Sequence, residues 1–209
     1  MRKVKGFCHV LMTNHWYSII LDQIRIILTS GLYDECEEIS IGCLGTAEQK
    51  RLLQKFICDV YPKFNIKYHS EDIGEFEFPT IRLIERDIDE YVGFYFHTKA
   101  VTRLDDVAQT NVRAWMNENI LNRWREHRKR VEDGWDISSV NIMFNPDHYS
   151  GNFWWFNRGY IDSLPKVDDL DKQHRWKAEQ WICMCKNKKA YSDCFLEATN
   201  TPFRIKYKL

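Results

Sequence analysis

The sequence predicts one α/β domain: a central, mostly parallel sheet of about six strands flanked by helices. Three observations predict it. Strand-like and helix-like segments alternate through the first half of the 209 residues, the pattern of parallel strands joined by right-handed crossovers. Apolar residues make up 44% of the chain, enough for one sizeable core. Helix starts and stops also fall where the alternation needs them.

Residues 4–12 form a β-rich apolar run ending in Thr13-Asn14-His15-Trp16. Residues 17–30 read as a helix with Ile20, Ile24, Ile27 and Leu28 on one face, stopped by Gly31. Residues 38–44 are a short strand closed by Gly45. Thr46-Ala47-Glu48-Gln49 is a capping box, in which Thr46 and Gln49 satisfy free N–H groups at a helix start. That helix sends Leu52, Leu53, Phe56, Ile57 and Val60 inward until Pro62 ends it. Residues 64–68 form a third strand, which runs into Glu71-Asp72. Pro79-Thr80 opens a short helix through Ile81, Leu83, Ile84 and Ile88, and residues 91–96 are a fourth strand. One long helix is expected over residues 105–132, with Gly134 as its stop. Strands over residues 140–144 and 152–156 follow, and a last helix over residues 172–186.

Charge and cysteine usage narrow the function. The 30 basic and 30 acidic residues cancel, which argues against a nucleic-acid binder. The basic run over residues 123–130 is flanked by Glu126, Glu132 and Asp133 and reads as a solvated helix face. The seven cysteines are odd in number, sit in apolar segments and form no CxxC pair; they read as reduced thiols in a cytoplasmic protein. No apolar run approaches the ~20 residues of a membrane span. The basic N-terminus leads into a strand rather than a signal peptide, because His9, Thr13, Asn14 and His15 break the apolar segment.

In open parallel sheets, ligands bind beyond the carboxyl ends of the strands. That rule directs attention to residues 13–16, to Glu71-Asp72, to His97-Thr98-Lys99 and to the segment after Phe144. The glycine patterns of dinucleotide folds and P-loops are missing. Lys99 suits a phosphate, and His97 and Thr98 can add hydrogen bonds; the plain alternative is a polar loop. Around residues 147–155, His148, Ser150 and Asn152 suit sugar hydroxyls and Gly151 allows close approach. Trp154 would face the ligand while Phe153 and Trp155 fill the core. Arg175 and Glu179 have i,i+4 spacing and form a surface salt bridge with Trp176 or Trp181 in the core, or Glu179 is a general base; spacing alone favours the salt bridge. Asp87-Ile88-Asp89 lies at the wrong end of its strand for a metal site, and Asp169-Leu170-Asp171 lies in a charged loop. Glu75 and Glu77 have strand-like spacing, but nothing else marks them as an acid–base pair.

These residues resemble a known group. Phe94-Tyr95-Phe96-His97-Thr98-Lys99-Ala100 resembles the HTKG or H-x-K-K segment of small GT-A-type glycosyltransferases, a group that includes rhamnan-synthesis F-like proteins and enzymes of bacterial and viral glycan clusters. Tyr149-Ser150-Gly151-Asn152-Phe153-Trp154-Trp155 resembles the group's SGNFWW signature, with Tyr160 and Leu164 at matching distance. Arg175, Glu179 and Trp181 resemble its R-x3-E-x-W helix. Order and spacing agree over nearly the whole chain, and in size and content the chain is also similar to a chlorella-virus glycosyltransferase domain.

The resemblance implies a GT-A-like single domain over residues 1–209, with a nucleotide-binding half (1–100) and an acceptor-side half (101–209). It implies transfer of a hexose or deoxyhexose, of glucose, galactose or rhamnose type, from a UDP-sugar to a glycan or glycoprotein. The setting would be a bacterial cytoplasm or a virus-infected host cell, and Mn2+ or Mg2+ is the usual cofactor. Glu179 would be the base, with His148 as the next candidate. Thr13, Asn14, Glu71 and Asp72 would hold uracil and ribose, and His97, Thr98 and Lys99 the diphosphate. Ser150, Gly151, Asn152, Trp154 and Arg175 would meet sugar or acceptor. Most GT-A enzymes carry Asp-x-Asp where this chain has His97-Thr98-Lys99. Lys99 would therefore replace part of the metal's charge, or His97 would ligate a metal together with Asp147 or His148. Two other readings stand beside this one: a non-catalytic nucleotide-sugar-binding module, and a sugar nucleotidyltransferase. The second normally shows a glycine-rich N-terminal loop that this chain lacks.

Overall fold

The computed structural model describes residues 2–102, 105–196 and 201–203, with backbone alone beyond residue 192. Strands β1 (Lys3–Leu11), β2 (Cys36–Leu44), β3 (Phe64–Ser70) and β4 (Tyr91–His97) run parallel in the order β3-β2-β1-β4. Helix α1 (Trp16–Thr29), the short turn α2 (Leu32–Glu35), α3 (Ala47–Leu53) and α4 (Phe78–Arg86) make the crossovers. Gly31 ends the first crossover helix in a left-handed conformation, φ 77°, and the Thr46–Gln49 capping box forms as the sequence predicts.

Helices α5 (Val107–Met116) and α6 (Trp124–Glu132) come next, then β5 (Ile137–Val140) and a hairpin of β6 (Ile142–Met143) and β7 (His148–Tyr149). The chain continues through β8 (Trp154–Asn157), α7 (Arg158–Ile161), α8 (Trp176–Trp181), β9 (Ala190–Leu196) and β10 (Thr201–Phe203). Eight strands make the main sheet, in the order β10-β9-β5-β8-β4-β1-β2-β3. β8 lies antiparallel to both β4 and β5, and β10 is antiparallel to β9; the other strands share one direction.

Helices cover both faces of this sheet, so its central strands have no solvent side. Phe94 and Trp155 stack at 4.9 Å on the face under α1 and α6, while Tyr95 and Trp154 stack at 4.7 Å on the face under α4 and α8. Gly93 is required there, because a Cβ at that position would stand 2.1 Å from the Phe156 ring.

Several expectations need correction. Leu53 and Ile57 point inward, but Leu52, Phe56 and Val60 are exposed. Those three fall at i+4 steps on the stripe beside the buried one, and a helix lying flat on a sheet buries one stripe. The long helix is broken by a π-helical turn at Asn117–Asn122, which re-aims α6 so that Trp124, His127 and Val131 face the sheet. The last helix shrinks to α8, because Asp171 accepts the N–H of Gln173 and holds the approach in a turn. The sheet gains β9 and β10 beyond the six strands expected.

Away from the carboxyl ends, Lys5 Nζ is held by Asp87 and Asp89 at 2.9 and 2.6 Å. The basic run is laced into ion pairs with Glu126, Glu132 and Asp133. Cys8, Cys36, Cys43, Cys58, Cys183 and Cys185 are free thiols, and Cys194 lies outside the residues whose side chains are described. Burial pushes Cys36 and Cys43 up to about 12. Among the described residues, no helix is long and apolar enough to cross a membrane.

Candidate active site at the carboxyl ends of β1 and β4

Backbone contacts splice the ends of β1 and β4. The Thr98 N–H donates to the His9 carbonyl at 3.1 Å, and the Leu11 N–H donates to Thr98 Oγ1 at 3.0 Å. The Thr98 hydroxyl is therefore engaged with the strand ends. The chain then turns sharply, with Lys99 N–H on the His97 carbonyl at 2.8 Å and Ala100 at φ 60°. A cleft of about 360 Å³ opens above this splice. α4 delivers Glu77 to it, the segment through β7 delivers His148 and Ser150, and α8 delivers Glu179 with Arg175 and Trp176 at its start.

His97 anchors the floor. Its Nε2 meets the Gly151 carbonyl at 2.8 Å, and its Nδ1 lies 3.3 Å from Glu77 Oε1. A carbonyl only accepts, so Nε2 carries hydrogen, and the contact with Glu77 closes only with a further proton between the two groups. Burial lowers His97 to about 4, with Lys99 pushing the same way. Beside it, His9 Nδ1 lies 3.0 Å from Thr80 Oγ1, and burial lowers this ring to about 4 as well.

Gly151 and Asn152 both adopt left-handed backbone, φ 96° and 56°. A Cβ on Gly151 would stand 2.3 Å from the Met116 sulfur. The Asn152 amide is engaged at both ends: Nδ2 donates to Glu77 Oε2, and Oδ1 accepts the Trp154 indole N–H at 2.7 Å. Asn152 is buried beneath Glu77 and does not line the cleft. Trp154 is wholly buried against Tyr95, so the expectation that it faces the ligand fails; β8 has apolar layers on both sides.

Glu179 is half-buried on the wall of the cleft. Burial raises its pKa, Glu77 raises it further, and Lys99, His97 and Arg175 oppose that rise. The salt bridge with Arg175 does not form. Arg175 lies just ahead of α8, and its guanidinium sits 4.5 Å over the Trp176 ring. Lys99 and Arg175 both line the cleft, and among the described residues neither joins an ion pair. His148 Nδ1 lies 2.8 Å from the Pro146 carbonyl, which only accepts, so Nδ1 is the donor there.

Other expected residues lie elsewhere. Asp147 pairs with Lys188 at 2.7 Å and lines a separate hollow beside Cys183 and Lys177. It cannot join His97, whose two nitrogens are both engaged. Among the described residues no three His, Cys, Asp or Glu side chains converge on one point. Thr13, Asn14, Glu71 and Asp72 stand at strand exits but do not line the cleft. Glu71 accepts the Ala47 N–H at 3.0 Å, Asp72 accepts the Gly74 N–H at 2.8 Å, and Asn14 takes a turn conformation at φ 49°. The Thr13 hydroxyl is buried without a partner among the described residues.

Sequence reasoning set Glu77 aside and missed the cleft positions of His9, Gln109 and Trp176. Glu77 is not on a strand; it immediately precedes α4, while Glu75 accepts the Tyr68 hydroxyl. Its signal was an acidic residue just ahead of a helix opened by Pro79. For His9 it was a titratable residue inside an otherwise buried run.

No family model and no curated protein matches the chain. In overall arrangement it is similar to a 4-diphosphocytidyl-2C-methyl-D-erythritol synthase from Anaerococcus prevotii DSM 20548, at 7% identity and a TM-score of 0.48, over 97% of this chain and 92% of that one. It is also similar to Rv0371c from Mycobacterium tuberculosis H37Rv, at 9% identity and a TM-score of 0.47, over 98% of this chain and 93% of that one.

Proposed function

We propose that the protein is a glycosyltransferase using a nucleotide-linked sugar donor. Glu179 deprotonates the acceptor hydroxyl, and Lys99 meets the donor diphosphate. The observation that carries this reading is Glu179 itself: a desolvated carboxyl with raised pKa, sharing one cleft with two cations that no carboxylate pairs among the described residues. Desolvation makes the carboxylate a stronger base, and a free cation stabilises charge developing on a departing diphosphate. The motif resemblance around His97, Gly151 and Glu179 supports the same reading, with a UDP-sugar as donor and a glycan as acceptor.

A second reading, sugar nucleotidyl transfer, draws on the same two cations, which suit two phosphate groups brought together. Its nucleophile is a sugar phosphate, already ionised at neutral pH, and such a nucleophile has no use for a base. Glu179 therefore favours glycosyl transfer. The test has two arms. Wild-type protein with a panel of UDP-sugars and simple glycosides should release UDP. Protein with UTP and glucose 1-phosphate should release no pyrophosphate; pyrophosphate release without UDP release would reverse the assignment. Neither product, with UDP still bound, would make the protein a binding module.

A further inference from the structure

Trp176 stands on the rim of the cleft with 55% of its surface exposed. Among the described residues it is the one exposed tryptophan; Trp115 and Trp135 are half-buried, and Trp16, Trp124, Trp154, Trp155 and Trp181 are buried. A scattered exposed apolar residue needs no explanation. Three observations set this one apart. Its indole lines the same cleft as Lys99 and Glu179. One ring face is already covered by the Arg175 guanidinium at 4.5 Å, which leaves a single face for a ligand. It also lies three residues before Glu179 on α8, so both side chains project from one side of the helix.

A ligand matching this arrangement has one apolar face and a hydrogen-bonding rim. A pyranose ring is such a ligand. Its axial C–H groups present a flat apolar patch to an indole, and its hydroxyls point outward in the ring plane. Gln109, His148 and Ser150 line the cleft with groups that can meet those hydroxyls, and Glu179 stands one helical turn from the indole. The guanidinium N–H groups extend past the indole edge as further donors.

We propose that Trp176, backed by Arg175, is the platform for a pyranose ring, and specifically for the sugar that carries the reacting hydroxyl. The acceptor role of that sugar rests on the glycosyl-transfer reading; the sugar platform itself does not. Trp176 stacks the ring, Arg175 holds the indole in place, and the hydroxyl nearest α8 is presented to Glu179. A flat, sequence-local aromatic of this kind favours sugars whose apolar face is uninterrupted by an axial hydroxyl on that side.

Saturation-transfer NMR tests the platform with the methyl glycosides of glucose, galactose and rhamnose as probes. For the wild type, saturation should reach the ring C–H protons of at least one glycoside more than its methoxyl group. Trp176→Ala should weaken that glycoside roughly tenfold, the order of one aromatic contact. Trp176→Phe should keep part of the signal, and UDP affinity should be unchanged in both variants. Their melting temperatures should match the wild type, since the indole is exposed. No signal from any glycoside overturns the proposal, as does an unchanged signal in Trp176→Ala. Loss of UDP and uridine binding with the glycoside signal intact also overturns it, and would assign the indole to a nucleobase. Glycoside binding that depends on Trp176, without UDP release from any UDP-sugar, leaves the platform standing and removes the transfer reading instead.

Discussion

Asn152 joins Glu77 to Trp154: its amide N–H₂ donates to the carboxyl group, and its carbonyl oxygen accepts the indole N–H at 2.7 Å. The contact ties the cleft floor to the most deeply buried layer of the sheet. Next to it, Gly151 at φ 96° places its carbonyl on His97 Nε2 at 2.8 Å. Asn152→Ala would leave two buried groups without partners, at about 1–3 kcal/mol each. The expected outcome is a clear drop in melting temperature at every pH. Asn152→Asp would set a second carboxylate against Glu77, so its deficit should be larger at pH 7 than at pH 4.5. Equal melting curves for wild type and Asn152→Ala would show that the network carries no stability.

Glu179→Gln should cut UDP release by about 10²–10⁴-fold while leaving UDP affinity unchanged, because the amide keeps the shape and cannot take the proton. The stability sign runs the other way. A carboxyl whose folded pKa is raised contributes stability when protonated, and that contribution is lost as pH rises through the folded value. At pH 7 the Gln variant should therefore melt at or above the wild type, and the difference should close near pH 4. Wild-type turnover in the variant would remove Glu179 from the chemistry and make His148 the next residue to change.

Lys99→Ala should weaken UDP and leave uridine alone. A charge-assisted hydrogen bond to phosphate contributes about 1.5–3 kcal/mol, or roughly 10- to 100-fold in Kd. Calorimetry with both ligands reads the difference directly. Equal losses would mean that Lys99 acts through the fold.

His9 and His127 are buried, and burial lowers them to about 4 and about 3. A histidine with a depressed folded pKa contributes stability that is complete above its unfolded value near 6.5 and is lost as pH falls through the folded one. A tenfold change in proton affinity corresponds to about 1.4 kcal/mol, so each ring withdraws stability on the order of 3–5 kcal/mol across that window. Urea unfolding should show stability falling steeply from pH 6.5 toward 4, and His127→Asn should reduce the slope by about one proton. A flat profile from pH 7 to 5 would contradict both burials.

Much of the fold was legible because its signals are local. Gly31, the Thr46–Gln49 box and the apolar run of β1 each speak for a few neighbouring residues, and the structure places them as read. The site was legible only in part. His97, Lys99, Ser150 and Glu179 do meet at one cleft. Glu77 reaches His97 from another element 20 residues away, and no local pattern announces such a meeting. Glu71 and Asp72 stand at a strand exit without lining the cleft: Glu71 accepts the Ala47 N–H at the start of α3, and Asp72 accepts the Gly74 N–H in the turn that follows. Trp154 was misplaced because an alternating pattern implies an outward face, and β8 has none.

The reversed strand β8 acts as a wedge in assembly. Among the described residues, the four of Trp154–Asn157 supply the only strand that hydrogen-bonds both β4 and β5. Until they arrive, the block β3-β2-β1-β4 ends in a bare edge at β4, and β5 offers another. A nascent chain that has released its first 150 residues would thus carry two strand edges waiting for the same partner, and bare edges accept strands from other copies as readily as their own. Residues 1–100 expressed alone would keep the β4 edge without the strand that covers it in the folded protein.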